Sequence, residues 1–244
     1  GVVALKKQEV TRDDISRAVE SARTLAVIPH ERRILHVLPR EFMVDDQEGV
    51  REPLGMSGSR LEVNVHVITG AVTSAQNIIK SVNRAGLDVV DIILQPLASS
   101  EAVLSAEERE LGVAMVDLGG GTTDLAIFLD GSIRHTAVLP IGGQNLTKDL
   151  AIGLLTSQTD AEKIKVQHGI ARTELVHGHQ MVEVPSVGDR PPRQFTRRDI
   201  AEILEPRVEE MFDLVKREIV RAGYEGMLGA GVVITGGTSL LEGM

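Results

Sequence analysis

The sequence predicts an α/β or α+β protein that opens with a small αβ subdomain. Three observations carry that prediction. Helical and strand-like periodicities are interleaved along the chain, with no internal repeat and no low-complexity tract. Three consecutive glycines, in "VAMVDLGGGTTDLAIFLDG" at 113–131, stand between two strand-like apolar runs. A further apolar strand, in "GVVITGGTSLLEG" at 231–243, ends on another glycine pair. The 244 residues make one large domain or two ordinary ones, with ample length for a buried core.

The opening segment is compact. Thr11 with Asp14 resembles an N-cap and its acidic N3 partner, and Ile15, Ala18, Val19 and Ala22 then share one helical face. "RILHVLPREFMV" and "RLEVNVHVITG" alternate as strands, joined by the polar "DDQEGVREPLGMSGS", so this part reads as a small αβ subdomain. "TSAQNIIKSVNRAG" reads as a helix with Gly86 at the C′ position, and "LDVVDIIL" at 87–94 as a buried strand. The polar "SAEERELG" then places a domain boundary within 105–111.

Lys+Arg 26 against Asp+Glu 35 gives a net charge of -9, which disfavours nucleic acid as a partner. No apolar run approaches the roughly 20 residues of a membrane span. Without cysteine there are no disulfides or metal–thiolate sites, and with no signal-like N-terminus the sequence suits a cytoplasmic protein. It begins on Gly1 and stops after "LLEGM", and reads as an excised piece of a longer chain.

The element after the triple glycine decides how the glycines are read. Dinucleotide-fold and P-loop glycines lie between a strand and a helix whose N-terminus faces the phosphate. Here "DLAIFLDGSI" alternates as a second strand, so the glycines tip a hairpin. Lacking Cβ atoms, Gly119, Gly120 and Gly121 let successive N–H groups converge on one anion, with positive φ open to them, and Thr122 and Thr123 can add hydroxyl donors. An ordinary hairpin turn needs fewer special residues. Gly236, Gly237 and Thr238 read either as a second wall of the same nucleotide site or as a tight turn before a helix starting at Thr238–Ser239.

"DLGGGTTD" resembles the second phosphate loop of the actin, sugar-kinase and heat-shock-chaperone ATPases, and "TGGTSLLEG" resembles their adenosine loop. "LQPLASSEAVL" at 94–104 is similar to their connecting helix, and "GGQNLTKDLAIGLL" to the segment after the hairpin. Within that superfamily, "HVLPREFMVDDQEGVREPLGMSGSRLEVNVHVIT", "LASSEAVLSAEERELGV" and "VPSVGDRPPRQFTRRDIAEILEPRVEEM" resemble the FtsA family of bacterial cell-division proteins over nearly the whole chain. The resemblance implies actin-like (ribonuclease H-like) lobes. Residues 1–68 would be the FtsA-type extra subdomain, 69–111 part of the first large lobe and 112–144 the first part of the second. Residues 145–220 would be its smaller outer subdomain, and 221–244 the return to the second large lobe with the adenosine loop. It also implies that the Asp-x-Gly phosphate loop opening this fold, and the C-terminal amphipathic helix that attaches FtsA to membrane, are absent, which leaves one of two phosphate loops.

The resemblance also assigns roles to residues. Asp117 matches the acid that holds Mg2+ through water; the plain alternative is a strand-end aspartate accepting turn N–H groups. Gln95 matches a glutamine that orients water, the one catalytic candidate, or is a buried amide before Pro96. Glu162 and Lys165 match ribose and adenine contacts, or Glu162 completes a capping box with Thr159 and Lys165 is an exposed helix residue. Gly142 and Gly143 approach the ribose or permit a close turn. Arg207 and Glu210 match a docking site for the C-terminal tail of FtsZ, or form an i,i+3 ion pair worth ~0.2–0.5 kcal/mol. They come just after Pro206, which is expected to kink or restart a helix whose buried stripe runs Ile200, Ile203, Leu204, Val208, Met211, Phe212, Val215 and Ile219. "HGHQ" lacks metal-ligand spacing, and "RPPRQFTRR" reads as a loop with Thr196 as N-cap and Asp199 at N3.

These matches imply an ATP- and Mg2+-binding, actin-like division protein. It would self-associate into filaments and link the FtsZ ring to the inner face of the cell membrane at the division site, with residues 1–68 meeting other division proteins. No strong general base is visible, so slow ATP hydrolysis is the most that is expected, and none from a chain with one phosphate loop. Two alternatives stand beside this reading: an interaction-only fragment without useful ATP binding, and a sugar-kinase-like enzyme, which would need a carboxylate base at a substrate pocket.

Overall fold

A computed structural model of the chain describes residues 1–188 and 190–244. In chain order the elements are β1 (Val2–Ala4), α1 (Arg12–Leu25), β2 (Arg32–Val44), β3 (Gln47–Val50), β4 (Arg60–Ala71), α2 (Val72–Arg84), α3 (Gln95–Val103) and α4 (Ala106–Leu111). The order continues with β5 (Val113–Leu118), β6 (Thr123–Leu129), β7 (Ser132–Leu139), α5 (Gly143–Gly153), α6 (Gln158–His168), β8 (Met181–Val184), β9 (Arg193–Thr196), α7 (Arg197–Arg221) and β10 (Gly231–Thr235). Two short 3-10 turns, Thr173–Leu175 and Gly237–Leu240, complete it. By packing, the chain divides into Gly1–Ala98 with Asp130–Arg134, and Ser99–Leu129 with His135–Met244.

In the first unit a sheet of order β1-β4-β2-β3 packs against α1. The Thr11 capping box is present: Asp14 N–H donates to Thr11 Oγ1 and Thr11 N–H to Asp14 Oδ2. Ala18 and Ala22 then meet Phe42, Val44, Leu61 and Val63 in a small core. β2 and β4 pair antiparallel along their length, from Arg32↔Ala71 to Val44↔Leu61. Gly86, past the end of α2, takes the left-handed φ of +81° expected there. The stretch 87–94 departs from expectation: it forms no strand, and Leu87, Val90 and Ile93 are 65%, 98% and 62% exposed. Apolar composition makes a strand only where a neighbour completes its ladder, and no described strand pairs with this one.

The second unit holds the larger core. Its sheet runs β10-β5-β6-β7, with β10 parallel and β6 antiparallel to β5. β5 is buried at every position, as near-continuous apolar strands covered on both faces are. Leu146 and Leu150 of α5, Ala161 and Ile164 of α6, and Ile200, Leu204 and Met211 of α7 pack into one cluster with Val116, Leu125 and Ile127. Two local expectations are corrected here. α6 is capped by Ser157, whose Oγ accepts from Asp160 N–H, so Thr159 and Glu162 form no capping box. α7 starts at the expected Thr196–Asp199 box and runs as one helix through Pro206 to Arg221, so the helix does not restart there. The missing proline N–H removes one backbone bond, yet buried Leu204 and Val208 on either side hold the helix together. Among the described residues, no helix is long and apolar enough to cross a membrane.

Candidate functional site

β5 and β6 pair through Asp117↔Asp124 and Leu118↔Thr123, leaving 119–122 as the hairpin tip. Gly119 N–H donates to Thr122 O at 2.9 Å and closes the turn. The tip's carbonyls are held from outside. Gly143 N–H, at the start of α5, donates to Gly119 O at 2.9 Å and Gln144 N–H to Gly120 O at 2.7 Å. Thr238 Oγ1 donates to Gly119 O at 3.0 Å. In a planar trans peptide the carbonyl and the following N–H point opposite ways. With the Gly119 and Gly120 carbonyls turned toward α5 and Thr238, the N–H groups of Gly120 and Gly121 turn away from them. Neither these nor the N–H of Thr122 has a hydrogen-bond partner among the described residues. Successive unpaired amides of this kind form an anion-binding nest.

The glycines act by space, not by handedness. None of the three has a left-handed φ, which corrects the expectation of positive φ in the tip, and a Cβ on Gly120 or Gly121 would meet nothing within 4 Å. The crowded glycines are Gly119, where a Cβ would lie 2.9 Å from Thr122 O, and those around the tip. A Cβ on Gly142 would lie 2.7 Å from both Gly119 O and Gly120 O, and one on Gly143 would collide with Thr238 Oγ1. Gly236 has φ +88°, and a Cβ there would lie 2.5 Å from Asp117 Oδ1.

The threonines divide. Thr122 Oγ1 donates to Asp124 Oδ2 at 3.1 Å beside the tip. Thr123 is fully buried and its hydroxyl donates to Ile141 O at 2.8 Å, so the expectation that it faces a ligand is corrected: it fastens the hairpin to the segment before α5. Asp117 and Asp124 are both buried at adjacent strand ends, and Ser99 Oγ donates to Asp117 Oδ2 at 2.7 Å. Burial pushes the Asp124 carboxyl above its usual range; the Thr122 hydroxyl opposes this, and the charge of Asp117 adds to it.

A cavity of about 870 Å³ opens beside the tip, and Gly120, Gly143, Glu162, Lys165, Gly237 and Thr238 all line it. Lys165 Nζ donates to Gly143 O at 3.0 Å, Thr147 Oγ1 at 2.9 Å and Glu162 Oε2 at 2.8 Å. Burial works against the Glu162 carboxylate, but Lys165 and the Thr147 hydroxyl together hold it below its ordinary range. Arg197 at the start of α7 also lines the cavity, donates from Nε to His168 O at 3.1 Å and pairs with Glu242. Val166 and Leu240 add exposed apolar surface to the lining.

Two candidates remain. Gln95 belongs to the first unit as the exposed first residue of α3, not a buried amide. Arg207 sits outside the cavity lining, where Nε and Nη2 fork onto Asp149 Oδ2 and Oδ1 of α5 at 2.6 and 3.1 Å while Nη1 pairs with Glu210. The i,i+3 pair of the plain alternative is present, and the fork onto Asp149 adds a tie between two helices. Asp124, Thr147 and Arg197 escaped the sequence reading. Only Asp124 carried a local signal, as the end of Thr-Thr-Asp; the others are recognisable only from contacts between distant segments.

Comparison with known proteins agrees with this architecture. Residues 114–244 match the family described as "Cell division protein FtsA", and residues 1–69 match the "SHS2 domain inserted in FTSA". The FtsA of Pseudomonas aeruginosa is 53% identical over 100% of this chain and 58% of its own length; that of Escherichia coli K12 is 45% identical over 100% and 60%. The chain thus spans less than two thirds of the curated relatives it matches. Among solved structures, MreB5 of Spiroplasma citri bound to ADP aligns with a TM-score of 0.54 at 20% identity, covering 71% of this chain and 56% of its own. A PilM-PilN type IV pilus biogenesis complex aligns at 0.59 and 16% identity, covering 98% and 60%. These share the actin-like fold, and at 53% identity across its full length to a division protein, with both family segments in place, the chain belongs to the FtsA family of cell division proteins.

Proposed function

We propose that the second unit is the ATP-binding half of an actin-like division protein, with the hairpin tip taking phosphate and the adjoining cavity taking adenosine. The observation that carries this reading is the meeting, within one unit, of the unpaired amides of 120–122 with a cavity of about 870 Å³. That volume is in the range of small-molecule sites. Glu162, held by Lys165, offers an acceptor for ribose hydroxyls, and Val166 and Leu240 offer apolar surface to a base. Mg2+ keeps several waters and is held by one or two carboxylates together with substrate phosphates. The pair Asp117 and Asp124 fits that donor set; they would hold the ion, and it would neutralise phosphate charge. In this reading ATP acts chiefly as a conformational ligand. Arg207 and Glu210 take the FtsZ tail, residues 1–68 meet other division proteins, and the parent protein self-associates at the inner face of the membrane.

Calorimetric titration with ATP and with adenosine tests the phosphate half. Because a side chain at Gly120 meets open space in the free protein, Gly120→Val should fold as the parent does. It is expected to lose at least tenfold in ATP affinity, about 1.4 kcal/mol, with adenosine affinity unchanged. Equal ATP affinity for both chains would reduce the tip to a structural turn.

A further inference from the structure

We infer that Gly142 and Thr238 are positioning residues that lock the hairpin tip in its anion-binding form, and that Thr238 acts on phosphate through the Gly119–Gly120 peptide. The inference rests on the ATP reading of the tip. A peptide between two glycines has little steric preference for either orientation. If it turned over, it would present a carbonyl oxygen to the anion where an N–H should be, and the nest would become repulsive. Three donors prevent the turn: Gly143 N–H and Thr238 Oγ1 on Gly119 O, and Gln144 N–H on Gly120 O.

Each donor reaches its carbonyl only because neighbouring glycines let the segments meet. Gly142 has φ -168°, an extended conformation open to any residue, so its glycine is required by space alone. A Cβ there would sit 2.7 Å from the two carbonyls that the tip must keep turned inward. Gly143 likewise leaves room for the Thr238 hydroxyl, which would otherwise be displaced. The first amides of α5, commonly the donors that bind a phosphate at a helix N-terminus, are instead spent on the tip. They act on the ligand at second hand. Thr238 belongs to the 3-10 turn after β10 and the tip to the β5–β6 hairpin, so this hydroxyl joins the two glycine loops across 119 residues of sequence.

The test compares ATP with adenosine across three variants. Thr238→Val keeps the volume and loses the donor, Thr238→Ser keeps the donor, and Gly142→Ala adds the intruding Cβ. Thr238→Val is expected to weaken ATP about tenfold, the scale of one hydrogen bond, with adenosine within twofold. Thr238→Ser should match the parent for both ligands, and Gly142→Ala should lose ATP more severely than adenosine. Equal weakening of ATP and adenosine by Thr238→Val, or no weakening, overturns the inference, whereas a parent chain that binds adenosine and not ATP overturns the phosphate reading beneath it. Amide hydrogen exchange without ligand supplies a second arm. The N–H of Gly143 should exchange faster in Thr238→Val than in Thr238→Ser, and identical rates in the two would contradict the peptide lock.

Discussion

Asp124 is held with Asp117 where two negative charges and little water meet, and a proton on it relieves both costs. The native state therefore keeps that proton to a higher pH than the unfolded chain does, for burial first and the Asp117 charge in addition, against the pull of Thr122. The sign comes from proton linkage. As pH rises through and above the ordinary aspartate range, near 3.9, the folded state binds more protons than the unfolded one and stability falls. Asp124→Asn removes that penalty, so its melting temperature should exceed the parent's at neutral pH and converge with it in acid. Thermal denaturation across that range checks this; an advantage as large in acid as at neutrality would contradict it. A carboxylate kept at a cost in the free protein is the pattern expected of a group used by a ligand. Residues such as Thr11, Asp14, Thr196 and Asp199 were legible in the sequence because a capping box is complete within four positions. Ser157 and Asp160 satisfy the same pattern two residues before Thr159 and Glu162, and only packing decided between them.

Between elements, the least legible feature is the fork of Arg207 onto Asp149, which joins α7 to α5 across 58 residues. Sequence showed Glu210 as a partner three residues away and could not show Asp149. The fork changes how the proposed tail-docking role must be tested. A tail carboxylate would compete with Asp149 for the same guanidinium, since one planar fork serves one carboxylate at a time in bidentate geometry. Arg207→Gln is expected to weaken binding of an FtsZ tail peptide about tenfold, and Asp149→Asn, which frees the fork, to strengthen it. Arg207→Glu is the poorer variant, because it sets a carboxylate against Asp149 and Glu210 and disturbs the helix pair itself. Calorimetry with the peptide decides: unchanged affinity in a folded Arg207→Gln chain removes Arg207 from the site. α7 also shows why Pro206 does not restart the helix. The proline rule concerns one lost backbone bond and a local clash, while the stripe from Ile200 to Ile219 supplies burial along the entire helix.

For the whole molecule, each unit carries its own apolar core, one around Leu61 and Phe42, the other around β5 and the three helices α5, α6 and α7. Fold class was legible because the β5–β6 hairpin, the capped helices and β10 each declare themselves by local periodicity. The stretch 87–94 was not, because its apolar residues show a preference for burial and say nothing of which neighbour supplies it. The candidate site was legible as two glycine loops, yet the sequence misjudged how they work: the crowding lies at Gly119, Gly142, Gly143 and Gly236, and within the tip Gly120 and Gly121 are open. The central claim is that the amides of 120–122 receive phosphate. Nitrogen-15 amide spectra during titration with ATP and, separately, adenosine test it most directly. Large shifts are expected at the amides of Gly120, Gly121 and Thr122 with ATP and not with adenosine, while Glu162, Val166 and Leu240 in the cavity lining shift with both. ATP shifts confined to the cavity lining, with the three tip amides unmoved, would contradict it.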